Sequence, residues 1–348
     1  MFSSDDVGAV ARQMTNAFVG TWTAEDMRDL VDRLGWEWAG ESDGHVRVVT
    51  GLPGGDAVLV PVGARARAWA PLQDYLELVV PVSRPAPEPR LQAEEFGRIA
   101  DAVRKVHGNA TYVGAHGLSG PSGLRLDPTW GRPFLRRRRD RVTLELRAGA
   151  AGPELVLQAG QVWESWYARS GQGFVGTLED SGRPLDHPRR ENADSWDGLG
   201  SALGAFLRTL PAETLATGMT QNIPRYGRLA GGKGPLLFGI VCEGHLYVSY
   251  TEYLVGEAAR GANARALGWT PVESLPPEHP QRRLFGDSPW VLDAGGPGEV
   301  KPTEIAALIV RTARAAGVES PGGLMIGGEA RYRGPYRVRF PGLPMPEC

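Results

Sequence analysis

The chain has 348 residues, 42% of them hydrophobic and 22% charged, with 38 Lys plus Arg against 40 Asp plus Glu for a formal net charge of -2. Its length exceeds the roughly 100–200 residues of one ordinary domain, so two are expected, each able to bury its own core. The near-neutral balance gives no global pull toward nucleic acid or anionic lipid, the two cysteines exclude a disulfide framework or multi-cysteine zinc centre, and no run reaches the ~18–20 apolar residues of a membrane span.

The start, MFSSDDVGAV, is acidic and has no apolar core of a secretory signal, which predicts a cytoplasmic protein. Ser3 or Ser4 then caps a helix to Phe18, with Val7, Val10, Met14 and Phe18 on one stripe. Thr23 and Asp26 resemble a capping box before Met27, Leu30, Val31 and Leu34, and Gly35 stops that helix. Trp36 and Trp38 alternate as in an entering strand, and an antiparallel meander follows over His45–Thr50, Asp56–Val62 and Tyr75–Val82. SRPAPEPR at 83–90 cannot be helical; it leads into a helix from Leu91 to His107, ended by Gly108. Arg141–Leu146 and Glu154–Gln158 read as a final hairpin.

The polar, turn-rich stretch 161–193 is predicted to link an N-terminal α+β domain, 1–160, to a C-terminal one, 194–348. The second begins with a helix from Ser195 to Leu210, then strands at Pro235–Cys242 and His245–Thr251. A helical segment ends at Leu267–Trp269, a proline-rich loop spans Pro271–Pro289, Pro302–Ala316 forms a late helix, and Arg331–Phe340 closes as strand or hairpin. The fold class is therefore α+β, two small domains each with an antiparallel sheet packed by helices. LGW follows a helix at both Leu34–Trp36 and Leu267–Trp269, which a shared helix stop explains and a duplicated fold would also produce.

Near-motifs for catalysis each fail at a specific residue. GRLAGGK, Gly227–Lys233, fits GxxxxGK, but Gly234 stands where a phosphate-binding loop needs Ser or Thr, and no apolar strand is expected before it. The stretch His107–Ser122 offers His107, His116, Ser119 and Ser122 for a hydrolase or transferase, yet Pro121 occupies the glycine position of a nucleophile elbow. His45, His107, His116, His187, His245 and His279 show no metal-binding spacing, so neither a metal nor another cofactor is expected.

Binding residues are easier to nominate. Arg136, Arg137, Arg138 and Arg139 form the densest basic run, read as a solvated strand edge or an acidic-partner patch, with alternate side chains on opposite faces. Only Lys105, Lys233 and Lys301 are lysines, so positive charge here is guanidinium, and this bias with 47 glycines suits a GC-rich actinobacterial genome. Several of the ten tryptophans fall at element ends where full burial is hard, and Trp163, Trp166 and Tyr167 are expected to pack between domains or meet a partner.

Two resemblances sharpen these expectations. LGW at Leu34–Trp36, VVTGLPGG at Val48–Gly55, FGRIADAVRKVHG ending at Gly108 and RDRVTLELR at Arg139–Arg147 resemble an uncharacterised domain family of Streptomyces and relatives, which implies a fold and no catalytic residues. GIVCEGHLYVSYTEYLVGEA, LGWTP at Leu267–Pro271 and IAALIVRTARAAGVESPGGLMI at Ile305–Ile326 are similar to the bacterial domains grouped with type III secretion chaperones and YbjN. That second resemblance implies a noncatalytic peptide- or protein-binding module, chaperone-like or immunity-like. Its groove would use Leu246, Tyr247, Val248, Tyr250 and Trp269, with no nucleic acid or membrane as partner. The competing expectations are the His107–Ser122 enzyme and a structural homodimer without ligand.

Overall fold

The computed structural model describes residues 3–17, 20–42, 44–64, 66–67, 70–84, 86–114, 130–138, 142–150, 152–160, 162, 177–178, 193–227, 236–252, 264–285, 290–326, 329–331, 335–337 and 343–345. The chain divides into two compact units, Met1–Pro188 and Arg189–Cys348. Both are α+β with antiparallel sheets. Among the described residues no helix is long and apolar enough to cross a membrane.

In the first unit, α1 (Ser4–Ala17) starts where the Ser3 hydroxyl accepts the Asp6 N–H at 3.2 Å. Helix α2 (Ala24–Arg33) carries the capping box that Thr23 and Asp26 predict. Helix α3 runs over Pro89–His107, two residues earlier than expected, because proline fits the first helical turn, where its missing N–H would have no partner anyway. Trp22, just ahead of α2, is buried with its backbone in the left-handed region at φ 73°. Its carbonyl accepts the N–H groups of Asp74 and Tyr75 at 2.9 and 3.1 Å, which hold it there.

Among the described residues, nine strands make one sheet in this unit: β1 (Glu37–Ser42), β2 (His45–Val49), β3 (Ala57–Pro61), β4 (Tyr75–Pro81), β5 (Tyr112–Gly114), β6 (Phe134–Arg138), β7 (Val142–Ala148), β8 (Pro153–Ala159) and β9 (Thr177–Leu178). Their order is β1-β2-β3-β4-β8-β7-β6-β5-β9, antiparallel throughout. The predicted meander is β2-β3-β4, and the predicted hairpin β7-β8 continues the sheet from β4. Side chains alternate across a strand, so Leu76, Leu78 and Val80 share a face with Leu155 and Leu157 and with Leu144 and Leu146, all buried. Helices α1 and α3 pack against each other and lie on β7 and β8.

The second unit is built from α4 (Trp196–Thr217), β10 (Thr220–Gly227), β11 (Leu236–Cys242), β12 (Leu246–Glu252), β13 (Thr270–Pro271), α5 (Pro280–Leu284), β14 (Trp290–Gly295), α6 (Pro302–Ala315), β15 (Leu324–Ile326), β16 (Glu329–Arg331) and β17 (Pro335–Arg337). Strand β10 pairs with β11 on one side and with β15 and β16 on the other. The sheet then runs β11-β12-β14-β13, and β16-β17 is the closing hairpin. Helix α4 continues past the expected stop at Leu210: Pro211 lies inside it, and left-handed Gly218 ends it. Proline removes one helical hydrogen bond, but Leu207, Leu210, Pro211 and Ala212 are all buried, so tertiary packing carries the helix through.

The repeated LGW is a repeated cap. The N–H of Trp36 reaches back to Val31 O and that of Trp269 to Ala264 O, both at 3.0 Å. Of the tryptophans described, Trp22, Trp130, Trp269 and Trp290 are buried, whereas Trp36, Trp38 and Trp196, at element ends, keep part of their surface exposed.

Candidate functional site

The strand β12 with the turn before it reads H-L-Y-V-S-Y-T from His245 to Thr251, polar or small residues alternating with apolar ones. On the face shared by Leu246, Val248 and Tyr250, Tyr250 pairs with Phe238 and Trp290, and Val248 with Ile240 and Leu292. Trp269 stacks on Phe238 and Tyr250, with ring centroids 6.2 and 5.5 Å apart. Its indole Nε1–H donates to Thr312 Oγ1 of α6 at 2.9 Å. Cys242 belongs to the same layer, its thiol 3.2 Å from Thr214 Oγ1 of α4, and burial pushes that thiol up to about 12, which makes it inert as a nucleophile.

The other face of β12 is different. Tyr247 sits between Val241 of β11 and Asp293 of β14, and Ser249 between Gly239 and Val291. The segment from Val272 to Phe285 straps this face: Phe285 joins Val241 and Val291, with Tyr247, Val272 and Leu275 packed around them. Gly239 makes room for it, since a Cβ there would meet Ser249 Oγ at 2.5 Å and the Phe285 ring at 3.1 Å. The strap is also tied by polar bonds. Gln281 Nε2 donates to Leu292 O at 2.8 Å, and Arg282 donates to the carbonyls of Leu275 and Glu273 at 2.9 and 2.5 Å.

Where the strap meets the sheet, four side chains converge. His245 stacks on Tyr247 at 4.6 Å between ring centroids, and His279 meets Tyr247 edge-on at 6.5 Å. Asp293 Oδ1 accepts from His245 Nε2 at 2.5 Å and from the Gly295 N–H at 3.2 Å. Oδ2 lies 3.7 Å from His279 Nε2, beyond hydrogen-bond range, so it has no donor among the described residues. The tautomer of His279 follows from its other nitrogen: Nδ1 accepts the Gln281 N–H at 3.3 Å, which leaves the proton on Nε2. Asp293 is 46% exposed, and His245 38%. Burial, then the Asp293 charge, pushes the Tyr247 phenol up, so it stays a donor. Among the described residues no group of His, Cys, Asp or Glu is arranged to hold a metal ion.

The first unit has its own polar face, opposite the one that carries Leu76 and Leu78. There Val58, Val60, Val79 and Val156 form an apolar patch. Beside it Arg136 and Glu145, both almost fully buried, pair at 2.5–2.6 Å across β6 and β7. Glu77, with no exposed side-chain surface, receives Arg147 at 3.3 Å and Gln158 at 3.2 Å, and Arg147 also holds Glu154 at 3.2 Å. Burial raises the Glu77 carboxyl above its ordinary range, with Arg147 opposing, and Glu154 is raised for the same reason. Arg147 is held more firmly protonated, since Glu77, Glu154 and Glu145 outweigh the burial that disfavours its charge.

The residues nominated from sequence distribute as follows. Leu246, Val248, Tyr250 and Trp269 are buried core and form no groove; consecutive strand residues cannot share a face, and Tyr247 alone of the five lies on the opposite one. Arg136 is sealed in an ion pair on a strand flanked by β5 and β7, which replaces the solvated-edge expectation. Arg137 is half-buried and donates to Asn109 O at 3.0 Å, and Arg138 ends β6. Arg139, Trp163, Trp166, Tyr167, His116, Ser119 and Ser122 lie outside the described residues, and His107 is buried at the end of α3. The strand before the glycine-lysine stretch, β10, is the largely polar TQNIPRYG and not an apolar one, and Gly234 still lacks the hydroxyl. His245, His279 and Asp293 were not nominated as a group. The alternation around Tyr247 signalled the face, but the pairing of β12 with β14, across some forty residues, has no sequence signal.

Comparison of the chain with protein-family models, with curated proteins and with solved structures gave no match.

Proposed function

We propose that this chain is a noncatalytic polypeptide-binding protein of the cytoplasm, chaperone-like or immunity-like, whose second unit receives its partner at Tyr247. The observation that carries the reading is the partly exposed group of Tyr247, His245, His279 and Asp293 on the strapped face of the sheet. Aromatic rings beside a carboxylate with an open oxygen offer stacking and one directional hydrogen bond, the combination that anchors interface side chains. No covalent step is needed, and the buried Cys242 is chemically unsuited to one. The resemblance of the second half to secretion-chaperone and YbjN-type domains supports the same reading from sequence.

The test is binding of a labelled random peptide library to the full chain, with Tyr247→Ala and the milder Tyr247→Phe as comparators. Binding should be weakened by about tenfold or more in Tyr247→Ala, the order of a lost aromatic anchor. Binding by both variants equal to that of the wild-type chain would remove Tyr247 from the site.

A further inference from the structure

We infer that the side chain received at this site is an arginine of the bound polypeptide. The inference rests on the polypeptide-binding reading and adds the chemistry of the occupant.

The two oxygens of Asp293 are unequal. Oδ1 already takes two donors, whereas Oδ2 takes none among the described residues and belongs to a carboxylate that is 46% exposed. A new donor is therefore accepted without displacing an existing bond. The same carboxylate stands directly across from Tyr247 in the β12–β14 register, so a group bound to Oδ2 lies beside the Tyr247 and His279 rings. A guanidinium satisfies both demands, because it is planar, permanently charged, weakly hydrated and stacks on aromatic faces while donating in its plane. Lysine carries the charge without the stacking plane, and a neutral amide the plane without the charge.

Exposed carboxylates occur on the same elements: Glu243 in the turn before β12, Glu278 on the strap, and Glu299 after β14, where its Oε2 accepts the Gly296 N–H at 2.7 Å. Against them stand Arg282, whose guanidinium is turned onto the Leu275 and Glu273 carbonyls, and exposed Arg283 on α5.

The experiment uses the full chain and fluorescent peptides taken from the library, each made in three forms: with arginine, with neutral citrulline at the same position, and with lysine. The arginine form should bind about tenfold or more tighter than its citrulline twin, with lysine between. That preference should vanish in Asp293→Asn. Citrulline binding as well as arginine, in a manner that still depends on Tyr247, would overturn the arginine inference and leave the polypeptide reading intact. Binding that ignores Tyr247→Ala, or none to any peptide, would overturn the underlying reading and this inference with it.

Discussion

Each unit sets one apolar sheet face in its core, and the two part ways at the opposite face. The first unit seals charge there, with Glu77, Glu145, Arg136 and Gln158 almost wholly removed from solvent. The second covers its opposite face with a strap over Val241 and Val291 and leaves Tyr247, His245 and Asp293 partly open. The difference separates what is costly to disturb from what is available to a partner. A buried ion has no alternative to its protein counter-ion, so its loss is felt in stability. A half-exposed carboxylate keeps water as a substitute and can exchange donors.

The largest effect should follow the loss of Arg147. Arg147→Met leaves Glu77 and Glu154 without their cation, and breaking a buried pair from one side costs about 3–5 kcal/mol. Chemical denaturation should show it, and adding Glu77→Gln to the same chain should recover part of the loss. A double variant no better than the single would show that Arg147 acts through packing alone.

The same network fixes a pH sign. Glu77 and Glu154 have folded values above their unfolded ones, so the folded state holds those protons more readily. Their contribution to stability is present below the unfolded carboxyl range and is lost as pH rises through the folded values. Denaturation midpoints of Glu77→Gln across the acid range should therefore fall less steeply with rising pH than those of the wild-type chain. Asp26 runs in the opposite sense: burial would push it up, but hydrogen bonds from Thr21 and Thr23 more than offset that and hold it low. The comparison of Glu77→Gln with wild type cancels that background.

An intermediate effect is expected at the second core. Trp269→Phe removes the indole N–H that Thr312 accepts, leaving the buried hydroxyl only the bond it donates to Leu308 O, a loss of about 0.5–1.5 kcal/mol. Because Cys242 is fully buried and its thiol is pushed up to about 12, alkylation of that residue reports opening of this unit alone. Labelling of Cys242 should accelerate in Trp269→Phe and stay unchanged in Arg147→Met, if the two units open independently.

These contrasts mark how far the sequence could be read. Local rules found the Thr23 cap, the meander, the β7–β8 hairpin and α6, because capping, glycine stops and alternation are written within a few residues. Strands β10 and β14 escaped: TQNIPRYG and WVLDAG have no clear alternation, and their place comes from neighbours far along the chain. Charge misled for the same reason. The run Arg136–Arg139 looks like a solvated edge until Glu145, supplied by the next strand, takes Arg136 inside. At the candidate site, Tyr247 was named among residues of the other face, and its partners His279 and Asp293 reached it only through register.

The smallest predicted effect is also the sharpest test of the contrast between the two faces. Asp293→Asn removes a carboxylate whose partner His245 is 38% exposed and whose own side chain is 46% exposed. Exposed ion pairs are worth about 0–1 kcal/mol, so stability should change by less than that, well under the loss expected for Arg147→Met. The asparagine side chain still offers an oxygen to His245 and Gly295, so the strap keeps its Gln281 and Arg282 bonds and the variant stays folded. A loss as large as that of Arg147→Met would show that Asp293 is a structural pin, and would place the second unit's open face in the same class as the first unit's sealed one.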